Sequence, residues 1–409
     1  MIYLYYIFII LVGAISWKPL IPEHGGLVLT SVKACLLVIT IILILIRGIK
    51  VNFIMIYSIF GMCVLTLFLI LQIARKDSVE YANTGDILRS YSAYLLLLLS
   101  MLVRLKKEEL LNILKIIQVM PSISVIVGLI FSITTSWSFI KFEFTGVPRL
   151  QGSNPPAHLA EICFVAIITS LAILDFYHIN KVILDRGKRA KLYIFLFINS
   201  LIILLTFTRI EILGVIIIFI FFLIRNLYYA FLKDNFSYLL VSILSLGIIP
   251  LLFCLKIIIQ LLIKRSTNNS GGFNTSGRAA AWKYFMEKAN EHRFFGRGMG
   301  ASESLYPYNP YQEFVAPHNE YIRSFLEVGV VGLIIMFIFF LVYIKWILKQ
   351  SFKKNVISNI FVICTIISIS IVSYYDNLFV TVHFSIPFIL ANLCFINYVR
   401  LKCHFEDSD

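Results

Sequence analysis

Apolar residues in this chain come in long runs. Twelve near-continuous hydrophobic stretches are separated by short polar segments: 2–17, 26–46, 52–73, 88–103, 117–135, 157–176, 191–208, 210–228, 238–263, 320–345, 355–374 and 377–399. Most approach the ~20 residues that a helix needs to cross a bilayer core. A segment in lipid must satisfy its own backbone hydrogen bonds, so each run is read as an α-helix. The pattern therefore predicts an all-α, polytopic integral membrane protein of about 12 transmembrane helices. The first run lacks a basic start and a clear small-residue cleavage site, so 2–17 reads as a retained helix.

The polar segments carry a second pattern. Basic residues gather after every other run: Arg47 and Lys50; Arg104, Lys106 and Lys107; Lys181, Arg186, Lys188, Arg189 and Lys191; Lys233; Lys345, Lys349, Lys353 and Lys354; Arg400 and Lys402. The alternate segments are poorer in Lys and Arg or balance them with carboxylates, as between Arg75 and Arg89. Cytoplasmic loops hold the excess of Lys and Arg, so both termini are expected in the cytoplasm. That orientation puts the longest polar segment, 264–317 between the ninth and tenth predicted helices, on the outer side. Its Ser/Asn/Gly-rich start gives way to a short helix over 278–290, with Ala279, Trp282, Phe285 and Met286 at helical spacing.

Composition agrees and removes some classes. Of 409 residues, 59% are hydrophobic and 14% charged, about half the charged share of a soluble domain. No hydrophilic stretch is long enough for a second soluble domain, so 1–409 reads as one membrane domain. The net charge of +14 is scattered in topogenic clusters and not gathered on one face, which argues against nucleic acid as a partner. The seven Cys lie mostly inside apolar runs without CxxC spacing and read as small buried residues. With no HExxH, no DxD and no acidic cluster along the sequence, neither a metal nor another cofactor is expected.

The outer side has its own polar inventory. Arg149 lies in Val147-Pro-Arg-Leu-Gln-Gly152. Arg209 lies in Thr206-Phe-Thr-Arg-Ile-Glu211, with almost no loop between two apolar runs. Arg278 opens the short helix, and His318 and Asn319 stand in Pro317-His-Asn-Glu-Tyr321 where the chain re-enters the membrane. Singly, each has an ordinary reading: Arg209 as an interfacial snorkelling residue or a partner of Glu211, Arg149 as a loop cation, Arg278 as a solvated one, His318 as an interfacial histidine. As a set on one predicted side, they suit a phosphate. The guanidinium fork binds phosphate oxygens in pairs and stays charged near lipid, and cations stabilise a pyrophosphate leaving group most as its charge develops. A neutral imidazole can take a proton from an attacking hydroxyl. Gly296-Arg-Gly-Met-Gly300 follows a helix, not a strand, and reads as a flexible or tight-turning loop, not a phosphate cradle. Trp282, Tyr306, Tyr308 and Tyr311 read equally as sugar-stacking surfaces or an interfacial aromatic belt. A transporter would instead place ionisable residues near the middle of several spans. Of Lys33, Glu161, Glu327 and Lys256, only Lys256 is expected there.

Read in order, four patterns resemble the O-antigen ligase and polymerase superfamily: Thr206-Phe-Thr-Arg209; Ser276-Gly-Arg-Ala-Ala-Ala-Trp282; Arg293-Phe-Phe-Gly-Arg-Gly-Met-Gly300, which lacks the usual Pro; and Pro317-His-Asn-Glu-Tyr321 followed by Glu327-Val-Gly-Val-Val-Gly332. The resemblance implies an inverting, metal-independent glycosyl transfer from an undecaprenyl-pyrophosphate-linked glycan at the periplasmic face of a bacterial inner membrane. On that model Arg209 and Arg278 clamp the pyrophosphate and His318 activates or orients the acceptor hydroxyl, so these three are the catalytic candidates. Arg149, Asn319, Glu211, Trp282 and Glu320 are the substrate-binding candidates, with Glu211 either weakening the clamp or orienting Arg209. Lipid-linked donor and acceptor, the bilayer and a chain-length regulator protein are the implied partners. The leading activity is polymerisation of lipid-linked repeat units into O-antigen or capsular-type polysaccharide. The runner-up is ligation of finished polymer to lipid A-core.

Overall fold

The structure is a computed structural model in which residues 1–22, 24–49, 52–75, 82–143, 146–179, 186–233, 260–264, 277–310, 316–351, 356–379 and 381–406 are described. Their helices are α1 (Ile2–Gly13), α2 (Gly25–Arg47), α3 (Phe53–Ile73), α4 (Thr84–Ser100), α5 (Lys107–Thr134), α6 (Pro156–Ile179), α7 (Arg186–Leu205), α8 (Arg209–Lys233), α9 (Arg278–Glu291), α10 (Ala301–Leu305), α11 (Glu320–Ser351), α12 (Val356–Tyr375) and α13 (Val382–Glu406), with a 3₁₀ turn at Tyr306–Tyr308. Six of the described helices are long and apolar enough to span a bilayer, and three shorter ones are apolar (Ile2–Gly13, Phe361–Tyr375 and Val382–Phe395). The all-α polytopic reading is borne out. Nearly all of the expected ninth span, 238–263, lies outside the described residues, as do Tyr311, Lys256 and most of the Ser/Asn/Gly-rich stretch.

Helix α6 sits at the centre. The apolar stretch of α6 is 83% buried, while those of α2, α3 and α11 are only 22% buried. It packs against α5, α7, α8 and α13, and Ile162, Cys163, Phe164, Val165, Ile167 and Leu171 are all fully enclosed. The outer helices expose Ile41, Leu45, Phe60, Ile70, Ile130, Ile133, Ile216, Ile334, Phe337 and Leu341. A helix apolar all round belongs inside, and an exposed apolar girdle is what a lipid-facing surface requires.

Two elements depart from the sequence expectation. Helix α5 begins at Lys107, well before the expected 117, because the Glu109 carboxylate accepts the Lys106 N–H at 2.7 Å and starts the helix in polar sequence. Between α5 and α6 the chain forms a hairpin, β1 (Ile140–Phe142) and β2 (Pro148–Leu150), antiparallel with Lys141 opposite Arg149. At the far end of α5, Arg47 donates to the Arg104 carbonyl at 2.8 Å and pairs with Glu109 at 2.6 Å. The basic segments after α2 and α4 thus meet at one end of the bundle. The hairpin carrying Arg149 is at the other.

The glycine motifs lock together. Helix α11 breaks at Gly329 (φ 65°, ψ −170°), which releases the Leu326 and Glu327 carbonyls. Arg297 and Gly298 donate to those carbonyls at 2.8 and 2.9 Å, and Val330 and Val331 donate back to Arg293 and Phe294. A Cβ at Gly296 would collide with the Glu327 backbone, and one at Gly329 with the Phe294 backbone. The Gln72 side chain closes the joint, donating to the Glu327 carbonyl and accepting from Met299 N–H. The 296–300 run is therefore a docked turn that fixes α9 and α10 onto α11, and not a flexible loop.

Candidate active site

Two short connections and one helix start build the site. Helix α7 ends at Leu205 and α8 starts at Arg209, leaving three residues to reverse the chain. Phe207 takes a left-handed backbone (φ 49°). The threonines satisfy the turn: Thr206 Oγ1 donates to the Ile203 carbonyl at 2.6 Å and lies 2.9 Å from Thr208 Oγ1. Arg149 closes over them from β2. Its Nε donates to the Thr206 carbonyl at 2.7 Å, its Nη2 to Thr208 Oγ1 at 3.0 Å, and its Nη1 pairs with Glu143. The guanidinium, 8% exposed, ties the hairpin to the α7–α8 turn. Arg209 opens α8 half-buried.

The second half surrounds the α12–α13 connection. Arg278, at the first position of α9, donates to the carbonyl of Tyr375 at 2.7 Å, at the electronegative end of α12. One turn on, Trp282 donates its indole N–H to the Pro317 carbonyl at 2.6 Å and packs edge-on against Tyr374. His318 also takes a left-handed backbone (φ 47°), and its Nδ1 lies 3.1 Å from Asp376 Oδ1. Asn319 N–H donates to the Asn377 side chain at 3.1 Å, while Asn319 Oδ1 caps α11 by accepting from Tyr321 and Ile322. Glu320 is paired with Arg323 and accepts from Phe379 N–H.

Asp376 joins the halves. One carboxylate oxygen each of Asp376, Glu161 and Glu211 lies within 4.8 Å of the others, and all three residues are buried. The charges of Arg278 and Arg149 both act on Glu211. Burial pushes the Asp376 carboxyl up, but its hydrogen bond to His318 and the charges of His318 and Arg278 outweigh this and hold it below the usual carboxylate range.

His318, Arg278, Glu211 and Arg149 are thus brought around one point at the end of the bundle opposite the Arg47–Glu109 pair. Arg149, Asn319, Trp282 and Glu320, the substrate-binding candidates, each also bond within the protein, where they shape the site. Sequence reasoning missed Asp376, Glu161 and Asn377. The available signal was Asp376-Asn377, the polar pair that interrupts the last two apolar runs. The expectation of no acidic cluster holds along the sequence only, because in space three carboxylates converge.

An arginine beside a carboxylate-backed imidazole can bind an anionic leaving group and take a proton. A cavity of about 360 Å³ opens beside it, lined by Leu65, Tyr94, Glu320, Phe337 and Tyr343 and overwhelmingly apolar.

Residues 194–337 match the model of a protein family described as O-antigen ligase. The match takes in Thr206–Arg209, Arg278, the 293–300 turn and His318, and leaves Arg149, Glu161 and Asp376 outside. No curated protein matches the chain.

Proposed function

We propose, from the premise that residues 194–337 belong to the O-antigen ligase/polymerase superfamily, that this chain polymerises undecaprenyl-pyrophosphate-linked repeat units into O-antigen or capsular-type polysaccharide. The observation that carries the proposal is the His318–Asp376 pair, with Arg278 anchored on the adjoining Tyr375 carbonyl. The apolar cavity against Glu320 suits an isoprenoid tail.

The acceptor hydroxyl attacks the donor sugar at C1 from the face opposite the pyrophosphate. The new C1–O bond forms as the C1–O–phosphate bond breaks, which inverts the anomeric centre. The hydroxyl proton passes to His318 Nε2, the ring nitrogen turned away from Asp376. Asp376 holds the proton-bearing Nδ1 in place and stabilises the imidazolium that results. Charge grows on the departing pyrophosphate, and Arg278 and Arg209 are the cations that meet it, with no ion needed on the phosphates. Arg149 keeps the Thr206–Arg209 turn in position. On the positive-inside pattern the site faces the periplasm of the inner membrane, with both termini in the cytoplasm and a chain-length regulator as an expected partner.

The second reading, transfer of finished polymer to lipid A-core, uses the same groups. Purified protein supplied with lipid-linked repeat units alone distinguishes them. A ladder of glycan lengths without core is the result expected of a polymerase. Transfer only after core is added would replace polymerase with ligase, and no transfer in either case would overturn both.

A further inference from the structure

Beneath the His318–Asp376 pair, Glu161 from the start of α6, Glu211 from the first turn of α8 and Asp376 from just after α12 turn carboxylate oxygens toward one another, within 4.8 Å. Three atoms so spaced share a centre no more than about 2.8 Å from each, against roughly 2.3–2.6 Å for calcium–oxygen bonds and about 2.0–2.1 Å for magnesium–oxygen bonds.

A second observation points to a missing ligand. Glu211 is 0% and Glu161 1% exposed, yet among the described residues no donor from another residue reaches either Glu211 oxygen, which has only its own backbone N–H nearby, and none reaches Glu161 Oε2. Buried carboxylates ordinarily have hydrogen-bond donors or a cation. Arg278 and Arg149 act on Glu211 through their charge alone, while their hydrogen bonds go to the Tyr375 carbonyl and to Glu143 and Thr206. Asp376 Oδ1 already accepts from His318 and from Asn377 N–H.

We propose that Glu161, Glu211 and Asp376 hold one divalent cation of the oxygen-preferring class; their spacing admits calcium as well as magnesium. The ion sits behind the His318–Asp376 pair, away from substrate, and ties α6, α8 and the α12–α13 connection together. It is a positioning ion and takes no part in bond making.

Chelator-treated protein in detergent, without glycan, is titrated with calcium chloride or magnesium chloride by calorimetry and melted with and without the ion at constant ionic strength. One saturable site per chain and an ion-dependent rise in Tm are expected. Glu161→Gln and Glu211→Gln, each removing a ligand charge without changing shape, should weaken binding at least tenfold. No saturable binding up to millimolar calcium or magnesium in wild type, or binding unchanged in both variants, overturns the proposal. Because the wild-type titration needs no variant and no substrate, its outcome stands apart from polymerase or ligase activity.

Discussion

Asp376→Asn tests the reading of the imidazole most directly. The Asn side chain has the same shape, and its Oδ1 can still accept from His318 Nδ1–H and from the Asn377 N–H that Asp376 now serves. What is lost is the negative charge, 7% exposed and one hydrogen bond from the ring. Hydrogen bonds to charged groups contribute about 1.5–3 kcal/mol, against roughly 0.5–1.5 kcal/mol between neutral groups. The substitution should therefore remove about 1–2 kcal/mol of support for the imidazolium formed during transfer. At about 1.4 kcal/mol per factor of ten, kcat falls roughly 5- to 30-fold. Donor KM should stay within about twofold, because the arginines remain. Initial rates at varied lipid-linked donor give both constants, and Asp376→Glu should restore part of kcat. Unchanged kcat in Asp376→Asn, or a loss confined to KM, would refute the role of Asp376 behind His318.

The depressed Asp376 carboxyl also has a stability consequence: between its folded value and the unfolded 3.8, the unfolded chain binds more protons. Its contribution is therefore complete above about pH 4 and lost as pH falls through the folded value, so the Tm difference between wild type and Asp376→Asn should shrink below pH 4. Arg278→Ala and Arg209→Ala should each cut kcat/KM by about 10²-fold or more, as loss of an oxyanion-type donor does, while membrane levels stay normal on immunoblots. Wild-type-like glycan ladders from both would remove the clamp. Gly329→Ala forces a side chain into a backbone region almost confined to glycine, costing about 1–3 kcal/mol before its Cβ meets Phe294; an unchanged Tm would contradict the interlock.

What the chain made legible, and what it concealed, divides by how local the cause is. Long apolar runs are local, and α2, α3, α8 and α11 lie where hydropathy puts them. The start of α5 was hidden because hydropathy does not register a polar first turn held by Glu109, and the 140–150 hairpin because its strands are three residues long. Arg278 and His318 were legible because each stands at a visible discontinuity, a helix start and a re-entry point. Asp376 is 58 residues from His318, and no spacing along the chain marks that pair. The buried Arg225–Asp175 pair, with the Phe222 ring 4.6 Å from the guanidinium, was missed for the same reason.

Polar residues chosen as ligands expose a further limit. Asn319, Trp282 and Arg149 have the chemistry to bind a sugar phosphate, and that same chemistry caps a helix, holds the Pro317 carbonyl and braces a three-residue turn. Residue type states what a side chain can bond, and only the fold decides whether backbone or substrate takes the bond. Conversely, Glu211 looked like a local complication for Arg209, two positions away. In space its carboxylate faces Glu161 and Asp376, so the question it raises concerns what neutralises three buried acids behind His318. Any mechanism for this site must therefore account for charge on both sides of His318: the arginines proposed to meet a pyrophosphate in front, and the Asp376 carboxylate that holds the ring from behind with Glu161 and Glu211 next to it.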